Sequence, residues 1–167
     1  KKTLVIDLDL RKALLSGYVG SPKLGIADYL GHQIDRWQSA IVKEESRDNL
    51  DVFPVGTMPP NPTELLFDER LEQLLETLSA QYDYVFIDCP PVEIVADTSI
   101  ISKLVNMTLF VVRAGLLDRS MLPEIERFYT GGKLKNMAII LNGTDNESAR
   151  YGYGYGYGSG SGYFDKE

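Results

Sequence analysis

Two short apolar runs that each end in an acid constrain this chain more than any other feature. Leu4-Val5-Ile6 leads into Asp7-Leu8-Asp9, and Tyr84-Val85-Phe86-Ile87 leads into Asp88. Continuous apolar runs of this length, without polar alternation, read as strands buried on both faces. Such strands belong to parallel sheets, which need covering helices and long crossover connections. The remaining sequence supplies both. Residues 50–55, Thr108–Arg113 and 137–141 predict further strands, the first of them closed by Gly56. Between the strands, 24–31 predicts a short helix ending at Gly31. Leucines 71, 74, 75 and 78 give one or two helices over 63–80, with Asn61 as N-cap and Pro62 at the first helical position. Helices are also expected over 94–104 and 122–129, while 37–42 reads equally as a helical turn or an edge strand. The predicted fold class is α/β, a mostly parallel sheet with helices on both faces. Ligands of open sheets of this kind bind beyond the carboxyl ends of the strands, which is where these acids stand.

Composition narrows the chemistry. A chain of 167 residues has room for one domain with a substantial core. It carries 17 Lys and Arg against 24 Asp and Glu, a net charge of -7. With no basic run to displace counterions, it is a poor partner for nucleic acid. One cysteine and one histidine exclude an internal disulfide and a Cys/His zinc cage, and point to a reducing compartment. No apolar stretch approaches the ~18 residues that cross a bilayer. The chain opens Lys1-Lys2-Thr3, with no initiator Met and no signal-peptide core, and runs almost directly into a strand. A piece of a longer polypeptide is expected.

The acids themselves suggest a cation. In an extended chain Asp7 and Asp9 would point to the same side, roughly 6.6 Å apart at Cα. Two carboxylates so placed suit Mg²⁺, which prefers oxygen ligands and keeps several waters; they would equally suit the capping of a turn. Asp88, delivered by four apolar residues and followed by Cys89-Pro90-Pro91, has the form of a Walker B acid that holds Mg²⁺ directly or through water. Cys89 reads as a small buried filler, Trp37 as core or subunit contact, and His32 as a surface residue.

Four motifs then occur in a fixed order: Asp7-Leu8-Asp9-Leu10-Arg11, Pro60-Asn61-Pro62-Thr63-Glu64-Leu65-Leu66, Asp88-Cys89-Pro90-Pro91, and tyrosines from 151 onward. Together they resemble the bacterial tyrosine kinases of capsule and exopolysaccharide assembly, over essentially the whole chain. Partitioning ATPases of the related deviant-Walker type share the strands but not a tyrosine-rich tail. The resemblance implies a P-loop NTPase-like fold and transfer of the γ-phosphoryl of Mg·ATP to tyrosine. Asp7 and Asp9 would manage Mg²⁺ and take the tyrosine proton, and Asp88 would support the metal through water. Arg11 would lie near the phosphates or the neighbouring acids. Asn142 matches a position that hydrogen-bonds adenine, and Arg113 either lines the nucleotide pocket or is an exposed strand-end arginine. The family's first strand and Walker A loop do not occur in this sequence. Gly131-Gly132-Lys133-Leu134 lacks both the spacing and the hydroxyl. They are expected before residue 1.

The predicted division is an N-terminally incomplete kinase-like domain over 1–147 and a Gly/Tyr-rich tail over 148–167. Tyr151, Tyr153, Tyr155, Tyr157 and Tyr163 are five of the ten tyrosines in the chain. Glycine at every second position makes ordering of the tail costly in backbone entropy, so a mobile segment is expected. Within the resemblance these tyrosines are phosphoacceptors, offered to the active site of a neighbour in a ring-shaped homo-oligomer. Phosphorylating all five would add roughly -7 to -10 of charge and release the ring. A membrane-spanning activator, and a place on the cytoplasmic side of the inner membrane, complete the implied picture. A partitioning-type ATPase and a noncatalytic phospho-accepting scaffold are the alternatives.

Overall fold

Thr3–Asp7 (β1) sits inside the main sheet because strands pair with both of its edges. The structure, a computed structural model, describes residues 1–44, 46–91 and 95–144, the side chains of 95–97 excepted. Leu50–Phe53 (β3) runs parallel to β1 on one side and Tyr84–Asp88 (β4) parallel on the other. The two-residue Val42–Lys43 (β2) adds antiparallel to β3, giving the order β2-β3-β1-β4. Thr108–Arg113 (β5) and Met137–Asn142 (β6) form a second, parallel pair in continuous register from Thr108–Met137 to Arg113–Asn142. All strands but β2 therefore point the same way within their sheets, as uninterrupted apolar runs demand.

Helices Ile26–Leu30 (α1), Pro62–Leu66 (α2), Glu69–Gln81 (α3), Val95–Leu104 (α4) and Leu122–Thr130 (α5) lie between these strands in the chain. The core gathers where Leu4, Ile6 and Phe53 meet Ile26, Leu30, Leu71, Leu74 and Leu78, all essentially inaccessible to water. The predicted leucine stripe is thus the buried face of α3, and Trp37 belongs to the same core. Each fully buried aliphatic side chain contributes about 1.5–3 kcal/mol by leaving water. Helix α4 touches both sheets. Its Ile101 enters the main core, and Ser102 Oγ accepts the Lys135 N–H at 2.8 Å just before β6. Phe110 of β5 meets Phe128 of α5 with ring centroids 6.4 Å apart.

Several local expectations are refined. The 63–80 stretch is two helices, because Phe67 ends α2 and Asp68 starts α3, its carboxylate accepting the Arg70 N–H at 2.8 Å. Pro62 does open α2, but Asn61 caps it by position only; its side-chain amide turns to the Glu64 carboxylate. The ambiguous 37–42 stretch is both things in succession, a 3-10 turn over Trp37–Ala40 and then β2. Strand β4 departs further. Val85 and Ile87 pack on the core, whereas Tyr84 and Phe86 on the opposite face are 53% and 49% exposed. Continuous apolarity promised burial on both faces; among the described residues only one is covered. Cys89 is half-buried against the core rather than enclosed. His32 is exposed as expected, held between Asp68 and Arg70 at 3.1 and 3.0 Å. Among the described residues no helix is long and apolar enough to cross a membrane. The tail tyrosines and the 147/148 boundary lie outside the described residues.

Candidate active site

The parallel pairing of β1 and β4 places Asp7 directly opposite Asp88 at the carboxyl end of the sheet. The ladder continues one step further, with Leu8 N–H donating to the Asp88 carbonyl at 2.8 Å. Asp9 follows in a turn rather than in the strand, so strict alternation does not describe its relation to Asp7. Instead the Asp7 carboxylate reaches forward and Oδ1 accepts the Asp9 N–H at 3.2 Å. Short acidic side chains form such turns readily because they can satisfy backbone two residues on.

The three acids differ in availability. Asp7 is 0% exposed, and its other oxygen, Oδ2, accepts both the N–H and the Oγ–H of Ser16, at 2.8 and 2.7 Å. Asp9 is 7% exposed; Oδ1 accepts the Arg11 and Lys12 N–H groups at 3.3 and 3.2 Å. Its Oδ2 carries no hydrogen bond among the described residues. Asp88 is the exposed member at the rim. Partial removal from water pushes its carboxyl above the usual carboxylate range, and the charges of Asp7 and Asp9 push it further. The three carboxylates therefore share one electrostatic neighbourhood of like charge.

That frustration is what a divalent cation relieves. Among the described residues no three His, Cys, Asp or Glu side chains form a ready-made metal cage. Mg²⁺ does not require one: it is commonly held by one or two carboxylates, its own waters and substrate phosphates. Asp9 and Asp88 suit that role. Asp7, with both oxygens engaged, is the least available of the predicted ligands.

Arg11 reaches the start of α2, where its Nη2 donates to Thr63 Oγ1 at 2.9 Å. The Asp-x-Asp-x-Arg and Pro-Asn-Pro motifs are thus joined physically. Arg113 and Asn142 are register partners at the carboxyl ends of β5 and β6. The Asn142 side-chain oxygen accepts the N–H of Gly143 at 2.8 Å, and the Arg113 side chain lies against Gly143. The structure brings Asp7, Asp9 and Asp88 together and, separately, Arg113 and Asn142.

Two contributors left little trace in the sequence. Ser16, nine residues beyond Asp7, sits in the 3-10 turn Leu15–Val19, and no spacing marks it. Asp28 is buried, and its Oδ2 accepts the Gly25 and Thr57 N–H groups at 2.8 and 3.1 Å, fastening the loop after β3 to the start of α1. An acid three residues into a helix is a capping signal that would have found it.

A mostly parallel sheet whose adjacent strands deliver acids to one rim is the arrangement that P-loop NTPase-like folds share, and the structural neighbours are of that class. No family model matches the chain. It is 38% identical over 156 residues to EpsB of Ralstonia nicotianae, covering 91% of this chain and 20% of EpsB. It is 33% identical over 154 residues to the tyrosine-protein kinase CpsD of Streptococcus agalactiae, covering 90% of this chain and 65% of CpsD. The chain thus spans a fifth to two thirds of these curated relatives. The solved kinase domain of the Escherichia coli tyrosine kinase ETK superposes with a TM-score of 0.76 at 32% identity, over 95% of this chain and 60% of that one. MinD from Aquifex aeolicus shares the fold, with a TM-score of 0.65 at 22% identity over 91% of this chain and 60% of its own. Its relatives EpsB, CpsD and ETK are tyrosine-protein kinases of the capsule and exopolysaccharide type.

Proposed function

We propose that this chain is the catalytic part of a tyrosine autokinase that transfers the γ-phosphoryl of Mg·ATP to tyrosines 151, 153, 155, 157 and 163, mainly between subunits. The observation that carries the reading is the shared electrostatic neighbourhood of Asp7, Asp9 and Asp88 at one sheet rim. Phosphoryl transfer needs little covalent chemistry from the protein; it needs positioning and charge neutralisation. Asp9 and Asp88 would hold Mg²⁺ largely through its waters, and when bound the ion neutralises charge developing on the phosphates. The tyrosine hydroxyl passes its proton to Asp9, whose Oδ2 is open. Asp7 keeps the Asp9 turn in place. Arg113 and Asn142 line the base-binding side, where an amide offers both donor and acceptor. The phosphates would be cradled by backbone amides and a lysine contributed from outside these 167 residues.

Glycine spacing lets each acceptor tyrosine enter a neighbour's site as a thin extended strand. Accumulated phosphate then repels the acidic rim, so the charge of the tail controls assembly of a ring-shaped homo-oligomer. The protein would work at the cytoplasmic side of the inner membrane with a membrane-spanning activator, in polysaccharide export.

The test is phosphotyrosine mapping on the intact protein after incubation with Mg·ATP, wild type against Asp9→Asn. Labelling on 151–163 that falls at least about 100-fold in the variant supports the reading, the scale on which a lost proton acceptor acts. ATP hydrolysis without phosphotyrosine indicates a partitioning-type ATPase, and labelling unchanged by the substitution indicates a phospho-accepting scaffold.

A further inference from the structure

We infer that Ser16 is a positioning residue for the acidic rim, acting through Asp7; the inference rests on the kinase reading above. Ser16 is 3% exposed, and its hydroxyl is used in both directions. The Oγ–H donates to Asp7 Oδ2 at 2.7 Å, while Oγ accepts the N–H of Val55 at 2.8 Å. Its own N–H adds a second bond to the same carboxylate oxygen at 2.8 Å. Val55 lies just beyond β3 and is completely buried. One side chain therefore ties the exit of β1 to the exit of β3.

The chain of contacts continues toward the rim. Asp7 Oδ1 holds the Asp9 N–H, and Asp9 Oδ1 gathers the N–H groups of Arg11 and Lys12. The orientation of the open Asp9 oxygen is thus set by a relay that begins at Val55. Only a hydroxyl can serve in the middle of it, because the position must donate to a carboxylate and accept from an amide. Alanine at 16 would leave the Val55 N–H without its partner in a buried place and remove one of the two donors to Asp7 Oδ2, the backbone N–H of residue 16 remaining. Groups that orient a metal-binding carboxylate without touching the ion typically account for about 10- to 100-fold in affinity or activity.

The experiment compares wild type with Ser16→Ala, Ser16→Cys and Ser16→Thr in the intact protein. Cysteine preserves the shape with a much weaker donor, and threonine preserves the hydroxyl. Two quantities are read: Mn²⁺ affinity in the presence of ADP, by paramagnetic titration, and kcat with KM for ATP in phosphotyrosine formation. Ala and Cys should each weaken Mn²⁺ binding and lower kcat by about 10- to 100-fold, with KM for ATP changed less than about threefold, and Thr should recover most of both. Mn²⁺ affinity and kcat within about twofold of wild type in the Cys variant overturn the inference, as does Thr performing no better than Ala. If alanine prevents folding, Cys against Thr decides. If wild type forms no phosphotyrosine, the kinase reading fails, and the Mn²⁺ titration alone still decides for or against Ser16.

Discussion

Replacing Asp88 by Asn should stabilise the protein in the absence of divalent cations. Asp88 is in register with Asp7 across the β1–β4 pair, and partial burial first, then the charges of Asp7 and Asp9, raise its affinity for a proton. A carboxyl raised in the fold binds more protons in the native than in the unfolded state. Its contribution is therefore lost as pH rises from the unfolded carboxylate range through the raised value, and at pH 7 the ionised Asp88 opposes folding. Two like charges about 6 Å apart repel by about 3 kcal/mol at an effective dielectric near 20 and by less than about 1 in water. Asp88 is exposed at the rim, so solvent screening brings the expected gain down to about 1 kcal/mol, or a midpoint rise of about 2–4 °C. Urea denaturation at pH 7 in EDTA measures it, and near about pH 4, where carboxylates protonate, the gap between variant and wild type should close. Adding Mg·ADP should reverse the order. A ligand at 100 times its Kd stabilises the wild type by about 2.7 kcal/mol, and the variant, lacking one of the holders, gains less. An Asp88→Asn protein that is less stable than wild type at pH 7 in EDTA, or a gap independent of pH, would refute the idea that these acids share one unneutralised site.

Two further outcomes concern the scaffold. Tyr82 donates its hydroxyl to buried Asp51 Oδ2 at 2.7 Å, and burial together with that bond holds the phenol well above its ordinary range. Tyr82→Phe should cost about 1.5–3 kcal/mol in urea denaturation, the worth of a hydrogen bond to a charged group, and a loss under about 0.5 would mean that Asp51 finds another donor. Gly25 packs so closely on the 54–56 backbone that a Cβ there would overlap it, and Gly56 holds a φ of +79° against the buried Asp28 carboxylate. Gly25→Ala should lower stability by more than about 3 kcal/mol, and an unchanged thermal midpoint would show that the loop gives way freely.

How far the sequence could be read varied by element. Leu4 and Ile6 stood out as members of a continuous apolar run, Leu71, Leu74 and Leu78 by their spacing, and together they form the centre of the core. Asp7, Asp9 and Asp88 stood out as acids that close apolar runs, and the β1–β4 pairing brings them to one rim. The break at Phe67 was less visible, since the leucine pattern runs across it and only Asp68, a good cap, marks the restart. The open face of β4 was invisible. Tyr84 and Phe86 are as apolar as Val85 and Ile87, and whether a helix lies over them is not a property of the strand.

Local periodicity, helix-capping residues and acids placed after apolar runs were enough to establish an α/β chain with carboxylates at the ends of parallel strands. These are properties of contiguous residues, and the backbone dictates them within a turn or a strand. The unequal standing of the three acids was settled only by tertiary contacts. Asp7 is spent on Ser16, Asp9 keeps one oxygen open, and Asp88 is raised by partial burial and then by both, because β1 pairs with β3 and β4 from positions some 45 and 80 residues away. Contacts over such separations follow no repeat, so they leave no pattern in the sequence for a period to reveal.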